Sequence, residues 1–523
     1  MYSCVMKKWA KLIVFAGLMC YQIAYAQNYV GQNVAIHQSN EMIKKEKDHV
    51  WLMPSESGIR CLLTSDGQYY VNTYNDQMHL TDSMKPFDKL PGDAKGIRVY
   101  RFADEIIIFY KVRQKQKKVT SAYYMVVSSD DLSYVRKPEY LGDFNSIEDH
   151  YWLEFDSDHT VLFLFRRYKG KSTRTVQEMY DDFELGDAYE LEEAPGKYYE
   201  SLTQVSNEGE MFVYKDVYFQ SQDEKNFEII DRYHAIYRYS AEGKILDVVK
   251  FETDAYKIRS TKFFFHLNGN LCFTGIYGDT SFSYKDNNSY ELKTSGIFYM
   301  EFDKESLELI TKTFNPFPKN LLEIRIHGVV DSRKKKIYKE SYSRHRGLNL
   351  QGVEQLSNGN FVYILEQGWS YYRSGEKKIY HIRKFDNIVI CLNQKKDIEW
   401  TQRIPKAQFV DLSRTFNSIF YTFYSMSTYA FVNDELHFFY LVNGYGIPDL
   451  AFIPSSPNKA YTSSHFVHAA VSESGDKQVE SLGILPTKDV VPVLSYIAVL
   501  RSNKLYIRFS KKKVLSLGII NLN

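Results

Sequence analysis

Two stretches of the chain, His266–Tyr277 (HLNGNLCFTGIY) and Leu356–Gln367 (LSNGNFVYILEQ), set the same Asn-Gly-Asn between apolar runs. An Asn-Gly pair flanked by alternating apolar residues is a strong local signal for a β-hairpin, because it supplies the positive φ angles that a tight turn requires. Looser versions stand at Thr64 (TSDGQ), Phe102 (FADE), Asp156 (DSDH), Ser206 (SNEGE), Val432 (VNDE) and Arg501 (RSNK). With the two Asn-Gly-Asn copies they give eight turn positions. Helical periodicity is almost absent between them.

Several of these hairpins run into a second one. NGNLCFTGIY is followed by SGIFYMEFDKESLELITKTF, and NGNFVYILEQ by DNIVICLNQKKDIEWTQRI. GEMFVYKDVYF precedes HAIYRYSAEGKILDVVKF, and DEIIIFYKV precedes SAYYMVVSSDDLSYV. Two hairpins in series make a four-stranded unit, and such units recur at roughly forty to ninety residues, which is how a β-propeller reads. The expected fold is an all-β propeller of seven or eight four-stranded blades. Strands such as VLFLF, apolar at successive positions, fit sheets covered on both faces by neighbouring blades. The tail YIAVLRSNKLYIRFSKKKVLSLGII supplies three strands, and an N-terminal strand near QNVAIHQ is the expected fourth. The alternative is a pair of stacked β-sandwiches, against which stands the lack of a proline-rich linker between halves.

Composition agrees with strands. Of 523 residues 44% are hydrophobic and 16% aromatic, with 43 Tyr and 34 Phe, residue types enriched in β-sheets. At the N-terminus Lys7, Lys8 and Lys11 lead into LIVFAGLMCYQIAYA, which ends Ala24-Tyr25-Ala26. This is the pattern of a signal peptide, cleaved after Ala26. Residues 1–26 are thus read as signal and 27–523 as one propeller domain. The apolar run falls short of the ~20 residues a membrane span needs, and so does VVPVLSYIAVL at Val490–Leu500. Removing the three lysines changes the charge balance from 66 against 64 to 63 against 64, so the precursor's +2 becomes −1. Such a balance gives no reason to expect nucleic acid or an anionic membrane as partner.

Catalytic signatures are missing. The chain has no nucleophile elbow, zinc-binding helix motif, phosphate loop or dinucleotide fingerprint, so no catalytic, metal or cofactor residue is assigned and no cofactor is expected. His465 and His468 are three apart, which puts them on opposite faces of a strand. Cys61, Cys272 and Cys391 sit singly in apolar runs and read as buried free thiols. SSDDLSYV (Ser128–Val135) approaches the Asp-box of sialidase propellers, but Leu132 stands where that motif has Gly. A plain strand–turn–strand is the better reading. The basic run Ser332–Arg346 reads as solvated edge strands guarded by lysines.

The most distinctive insertion is Glu366–Asn387, which places Trp369, Tyr371, Tyr372 and Arg373 on an expected loop. Flat rings with an arginine suit stacking on a sugar or on a partner's apolar residues. The plainer expectation is a lid over the blade edge. A second long connection spans Gly444–His465.

Around this insertion, GVEQLSNGNFVYILEQ and DNIVICLNQKKDIEWTQRIPKAQ resemble secreted Bacteroidota proteins of uncharacterised, propeller-like type. The matching residues are Asp386, Ile388, Trp400, Ile404, Lys406 and Gln408, within Gly352 to Gln408. Lys395-Lys396-Asp397 replaces the Gly-centred turn of that pattern. The resemblance implies a propeller-like fold and export, and implies no activity. The sequence therefore points to an exported, non-catalytic binding or scaffold protein, periplasmic or associated with the outer membrane or its exterior. Its expected partner is an envelope protein or a glycan, held at Trp369, Tyr371, Tyr372 and Arg373. The alternatives are a glycan-active hydrolase or lyase with its site in the propeller channel, and a structural subunit of an envelope assembly.

Overall fold

The computed structural model describes residues 28–522 except 31–33, 39–42, 45–49, 56–57, 66–67, 103, 115–118, 145–149, 156–161, 168–173, 181, 221–228, 255, 279–293, 319–320, 322–347, 374–378, 407, 414–426, 444–463, 485–490, 502–503 and 512–513. Residues 1–26, read from the sequence as a signal peptide, the basic run at Ser332–Arg346 and nearly all of the Gly444–His465 connection lie outside the described residues.

Antiparallel sheets follow one another along the chain. Seven have a four-stranded meander, spanning 50–86, 95–144, 150–190, 197–251, 257–316, 348–404 and 428–484. The eighth joins the two ends of the chain. Strands Val491–Arg501, Lys504–Lys511 and Val514–Leu522 pair in series, and Val34–Gln38 then pairs with the last of them, Ile36 opposite Ile520. This is the closure expected from QNVAIHQ, and it ties the ring shut by hydrogen bonds rather than by side-chain packing alone. The fold is a β-propeller of seven four-stranded blades and this closing sheet.

Successive blades stack through apolar clusters. Ile107, Phe109 and Tyr124 of the second blade meet Leu153 and Leu164 of the third. Tyr214 and Ile236 of the fourth meet Phe263 and Phe273 of the fifth. Tyr506, Leu517 and Ile519 of the closing sheet meet Ile59, Cys61 and Tyr74 of the first. Because both faces of each blade are covered, the second strand of the fifth blade, Leu271–Gly278, is buried at all eight positions. Outer strands such as Ile245–Phe251 expose most of theirs. Burying one such aromatic or aliphatic side chain contributes about 1.5–3 kcal/mol, so the blade interfaces dominate stability. Cys61, Cys272 and Cys391 are buried within them and outside any disulfide, as read from their apolar settings.

Five tight turns share one geometry. At Ser206–Glu210, Ser240–Lys244, His266–Asn270, Leu356–Asn360 and Ser472–Asp476 the first residue's N–H and C=O bond to the fifth and fourth residues. The fourth is a glycine at φ 78–85°. A single positive φ is used, at Gly, and the Asn before it takes another role. Asn268 Oδ1 accepts the N–H of Asn270 (3.0 Å), and Asn358 Oδ1 that of Asn360 (2.9 Å). The expectation of two positive φ angles is corrected accordingly: a type I turn with a bulged glycine needs only one. Asn393–Asp397 repeats the pattern with Lys396 at φ 68° in the glycine's place. At Ser128–Ser133 it is Leu132 that takes the positive φ, 62°, in a plain strand–turn–strand.

Seven of the eight turns noted in the sequence join the innermost strand of a blade to its second. The exception is TSDGQ, which joins the second and third strands of the first blade.

Candidate binding face

Strand direction sorts the connections between the two faces of the ring. In a four-stranded antiparallel meander the first and third links leave at one end, and the second link and the passage to the next blade leave at the other. The five glycine turns and the Lys396 turn are all first or third links, so they gather on one face. The second links 221–228, 279–293, 374–378 and 444–463, and the passages 319–347 and 407–427, start from strand ends at the opposite face.

The tight-turn face is bonded to itself. Ser357 N–H donates to Asp434 Oδ1 (2.9 Å), Leu267 N–H to Gln355 Oε1 (3.2 Å) and Trp400 Nε1–H to Glu473 O (3.2 Å), each from one blade to the next. The opposite face carries two candidate sites.

The first is the segment expected as an aromatic loop. Trp369, Tyr371, Tyr372 and Arg373 lie on a strand instead. Phe361–Arg373 and Ile379–Leu392 stay paired well beyond the blade, with Trp369 opposite Arg383, Tyr371 opposite His381 and Tyr372 opposite Tyr380. Gln408–Ser413 adds a third strand to the same extension, Asp411 opposite His381. The loop reading fails because three strands satisfy one another's backbone groups here, which the sequence of any one of them does not reveal. The result is a three-stranded ribbon rising from the sixth blade.

At the ribbon's root lies a buried ion cluster. The carboxylate of Glu366, 2% exposed, accepts from Lys406 Nζ and Lys384 Nζ. Lys406 also donates to Ser427 Oγ (3.1 Å), whose hydroxyl donates to Asn387 Oδ1 (2.8 Å). Asp386 Oδ1 accepts the backbone N–H of Lys406 (3.1 Å), and its Oδ2 accepts from Arg403 Nε (3.1 Å). Burial pushes the Glu366 carboxyl up, but the charges of Lys406 and Lys384 outweigh it and hold the group below its ordinary value. Asp386 and Lys406, two of the residues named in the resemblance, thus belong to the cluster at the ribbon's root, while Ile404 packs in the apolar cluster between the sixth and seventh blades. Trp400, a fourth, packs against Gly475 of the next blade.

The second site is a cleft of about 670 Å3 between the fourth and fifth blades. It is lined by Arg232, Tyr233 and His234 from the third strand of the fourth blade, Lys250 and Phe251 from its outer strand, Glu252, Thr253, Asp254 and Tyr256 from the passage, and Lys257 and Ile258 from the next innermost strand. Asp216, 6% exposed, accepts from Arg232 Nε (2.9 Å) and Nη2 (2.6 Å) and thereby aims the guanidinium. His234 Nδ1 is 3.0 Å from Tyr214 Oη, and its ring stacks on Tyr214 and on Phe251. Burial lowers the pKa of His234, and Arg232 adds to this against the pull of Asp216, so the imidazole is neutral at pH 7. Tyr214 is fully buried.

His468 stands apart from both sites, buried in the seventh blade between His437 Nδ1 (3.0 Å) and Glu480 Oε1 (2.9 Å). Among the described residues no group of three or more His, Cys, Asp or Glu side chains could hold a metal ion. Among them, too, no helix is long and apolar enough to cross a membrane.

No protein-family model matches the chain, and no curated protein matches it. Similar solved structures include a protein of unknown function from Bacteroides caccae, at 12% identity and TM-score 0.28, over 68% of this chain and 93% of that one. Polysaccharide lyase Uly1 is 10% identical at TM-score 0.36, over 92% and 100% of the two chains. The β-propeller domain of the Trilobed protease from Pyrococcus furiosus is 10% identical at TM-score 0.30, over 69% and 96%.

Proposed function

We propose that this β-propeller is an exported binding protein of the cell envelope, which recognises a glycan or a protein partner through the face that carries the ribbon. Export is read from the signal pattern at residues 1–26 and from the resemblance to secreted Bacteroidota proteins. The observation that carries the binding role is the ion cluster beneath the ribbon. Burying Glu366, Lys406 and Asp386 adds little net stability compared with apolar packing, because desolvation offsets most of the attraction. What such a cluster does supply is one fixed geometry, and here it fixes the strands that present Trp369, Tyr371, Tyr372 and Arg373. The opposite face, whose turns bond to one another, is the poorer candidate.

The test is glycan-array and envelope pull-down signal for the wild type against Trp369→Ala combined with Tyr371→Ala. Loss of signal without loss of thermal stability supports the ribbon as the site. Undiminished signal removes it.

A second reading, a glycan-active hydrolase or lyase, draws on His234, a neutral imidazole that lines a cleft beside Arg232. Only His234 of the Tyr214–His234 pair meets the cleft, so a proton donor to complete an acid–base pair would have to come with the ligand or from another element. His234→Ala separates the readings: turnover of any glycan abolished with binding retained favours the enzyme.

A further inference from the structure

We propose that Lys406 and Asn387 of the sixth blade join their side chains in an amide bond, with Glu366 carrying the proton and ammonia as the leaving group. The reaction is the chain's own and does not depend on what the ribbon or the cleft binds.

Nucleophile, amide and proton carrier share one face of one sheet. Glu366 stands opposite Asn387 on the neighbouring strand, and Asn387 opposite Ile404 on the next. Lys406 follows two residues later, and its ammonium reaches back across the strand that carries Asn387 to bond Glu366. Each of the three is at most 2% exposed. By strand alternation Glu366 and Asn387 continue the face of Val362, Ile364, Val389 and Cys391, which packs against the seventh blade. Ser427 Oγ links the amine to the amide, accepting from Lys406 Nζ (3.1 Å) and donating to Asn387 Oδ1 (2.8 Å). The amide's Nδ2 is buried and has no hydrogen-bond partner among the described residues. An unpaired buried donor is unfavourable in an ordinary polar network, whereas a leaving group has to be free of its neighbours. The choice of lysine points the same way. Arginine's planar fork suits a buried carboxylate better, but only lysine yields an amine that attacks.

Glu366 takes a proton from the Lys406 ammonium, and the neutral amine attacks Cγ of Asn387. Burial, with Lys384 adding to it, lowers the pKa of Lys406 against the pull of Glu366 and Asp386, which eases that transfer. The Ser427 hydroxyl, already on Oδ1, stabilises the oxyanion as the new C–N bond forms. Glu366 then protonates Nδ2, the bond from Cγ to Nδ2 breaks, and ammonia leaves. The attacking nitrogen gives its surplus proton back to Glu366, from which ammonia takes it as ammonium. One lysine ammonium and one side-chain amide thus become one secondary amide and one ammonium ion, with no oxidant required. Glu366 ends as a carboxylate, still held by Lys384. The bond closes residues 387–406 into a loop at the root of the ribbon, whose third strand begins at Gln408.

The experiment is intact mass and tryptic mapping of the folded, purified chain. Wild type should weigh less than its sequence by one ammonia and yield a branched peptide that joins Phe385–Lys395 to Ile404–Arg414. The branched peptide decides, because cyclisation of an N-terminal Gln27 also releases ammonia. Lys406→Arg keeps the charge and should give no branched peptide. Glu366→Gln keeps amine and amide, and the bond should form about a hundredfold more slowly or less in it. Circular dichroism checks that both variants fold, and the wild-type map stands whether or not they do. Lys406 and Asn387 recovered only in separate, unbranched peptides after prolonged incubation of folded wild type at neutral pH would overturn the proposal. A bond that forms as fast in folded Glu366→Gln would equally overturn it.

Discussion

The ammonium group of Lys396, in the sixth blade, lies 4.8 Å from the centre of the Tyr299 ring in the fifth. It is also 4.5 Å from Phe361, and the Lys396 carbonyl accepts from Asn315 Nδ2 (2.8 Å) of the fifth blade. The residue that breaks the Gly-centred turn is therefore a bond between blades. Its left-handed φ costs about 1–2 kcal/mol, and a desolvated cation–π contact returns about 2 kcal/mol or more. Lys396→Gly relieves the backbone but loses the contact, and should cost about 1 kcal/mol or less. Lys396→Met keeps the strain and loses the charge, and should cost about 2 kcal/mol. Urea midpoints order the two. A methionine variant as stable as wild type would show that the cation contributes nothing.

Glycines at the same turn position should differ in their tolerance of a methyl group. A Cβ on Gly269 would meet no atom within 4 Å, whereas on Gly475 it would stand 2.7 Å from Trp400 Cδ2. Gly269→Ala should cost about 1 kcal/mol, from the positive φ alone. Gly475→Ala adds overpacking against a ring that is hydrogen-bonded to Glu473, about 1–3 kcal/mol more. Equal losses in the two variants would mean that Trp400 yields freely.

These turns also show where the sequence was legible. Alternating apolar runs punctuated by Asn-Gly revealed the hairpins, their pairing in series and the strand that closes the ring, because those signals are local. Which link of a blade a given turn makes is set by the edge that faces the ring's axis, so the sequence did not distinguish TSDGQ, a second link, from the seven first links. The ribbon was hidden because Trp369–Arg373 has no clean alternation and depends on Gln408–Ser413, some forty residues on. Glu366 carried a signal that passed unread, a single carboxylate closing the apolar run Phe361–Leu365, whereas Lys406, after Arg403-Ile404-Pro405, carried none. The cleft left no trace, since Arg232, His234 and Lys250 look like ordinary strand residues until two blades are placed side by side.

The seventh blade should make stability depend on pH. His437 and His468 are both buried, and their contact at 3.0 Å needs one nitrogen without a proton. Burial, with His468 adding to it, pushes His437 down to about 3, and burial lowers His468 against the pull of Glu480. Between that value and the unfolded value near 6.5 the unfolded chain holds more protons than the folded one. The contribution is therefore complete above about pH 6.5 and is lost as pH falls towards 3. At pH 5 the loss from His437 should be about 2 kcal/mol. Urea midpoints at pH 7.5 and 5 should diverge in the wild type and converge in His437→Gln. The same pH sensitivity in both proteins would place the cause elsewhere.

The ion cluster under the ribbon should behave as a unit. Lys406→Met leaves the buried Glu366 carboxylate with Lys384 alone, and removing one partner of a buried pair costs about 3–5 kcal/mol. Glu366→Gln in the same chain removes the stranded charge and should restore most of that, giving a coupling of at least about 2 kcal/mol in the double-mutant cycle. A second measurement ties the cluster to the ribbon. Amide exchange across Gly368–Arg373 should quicken in Lys406→Met, while exchange in the tight turns at His266–Asn270 stays as it was, because local openings follow the contacts that hold each segment. If stability falls and ribbon exchange does not change, Lys406 supports the blade and the ribbon is held by its strand pairing alone. Faster exchange in the ribbon, reversed by Glu366→Gln, would show that a buried charge pair sets the position of the binding face.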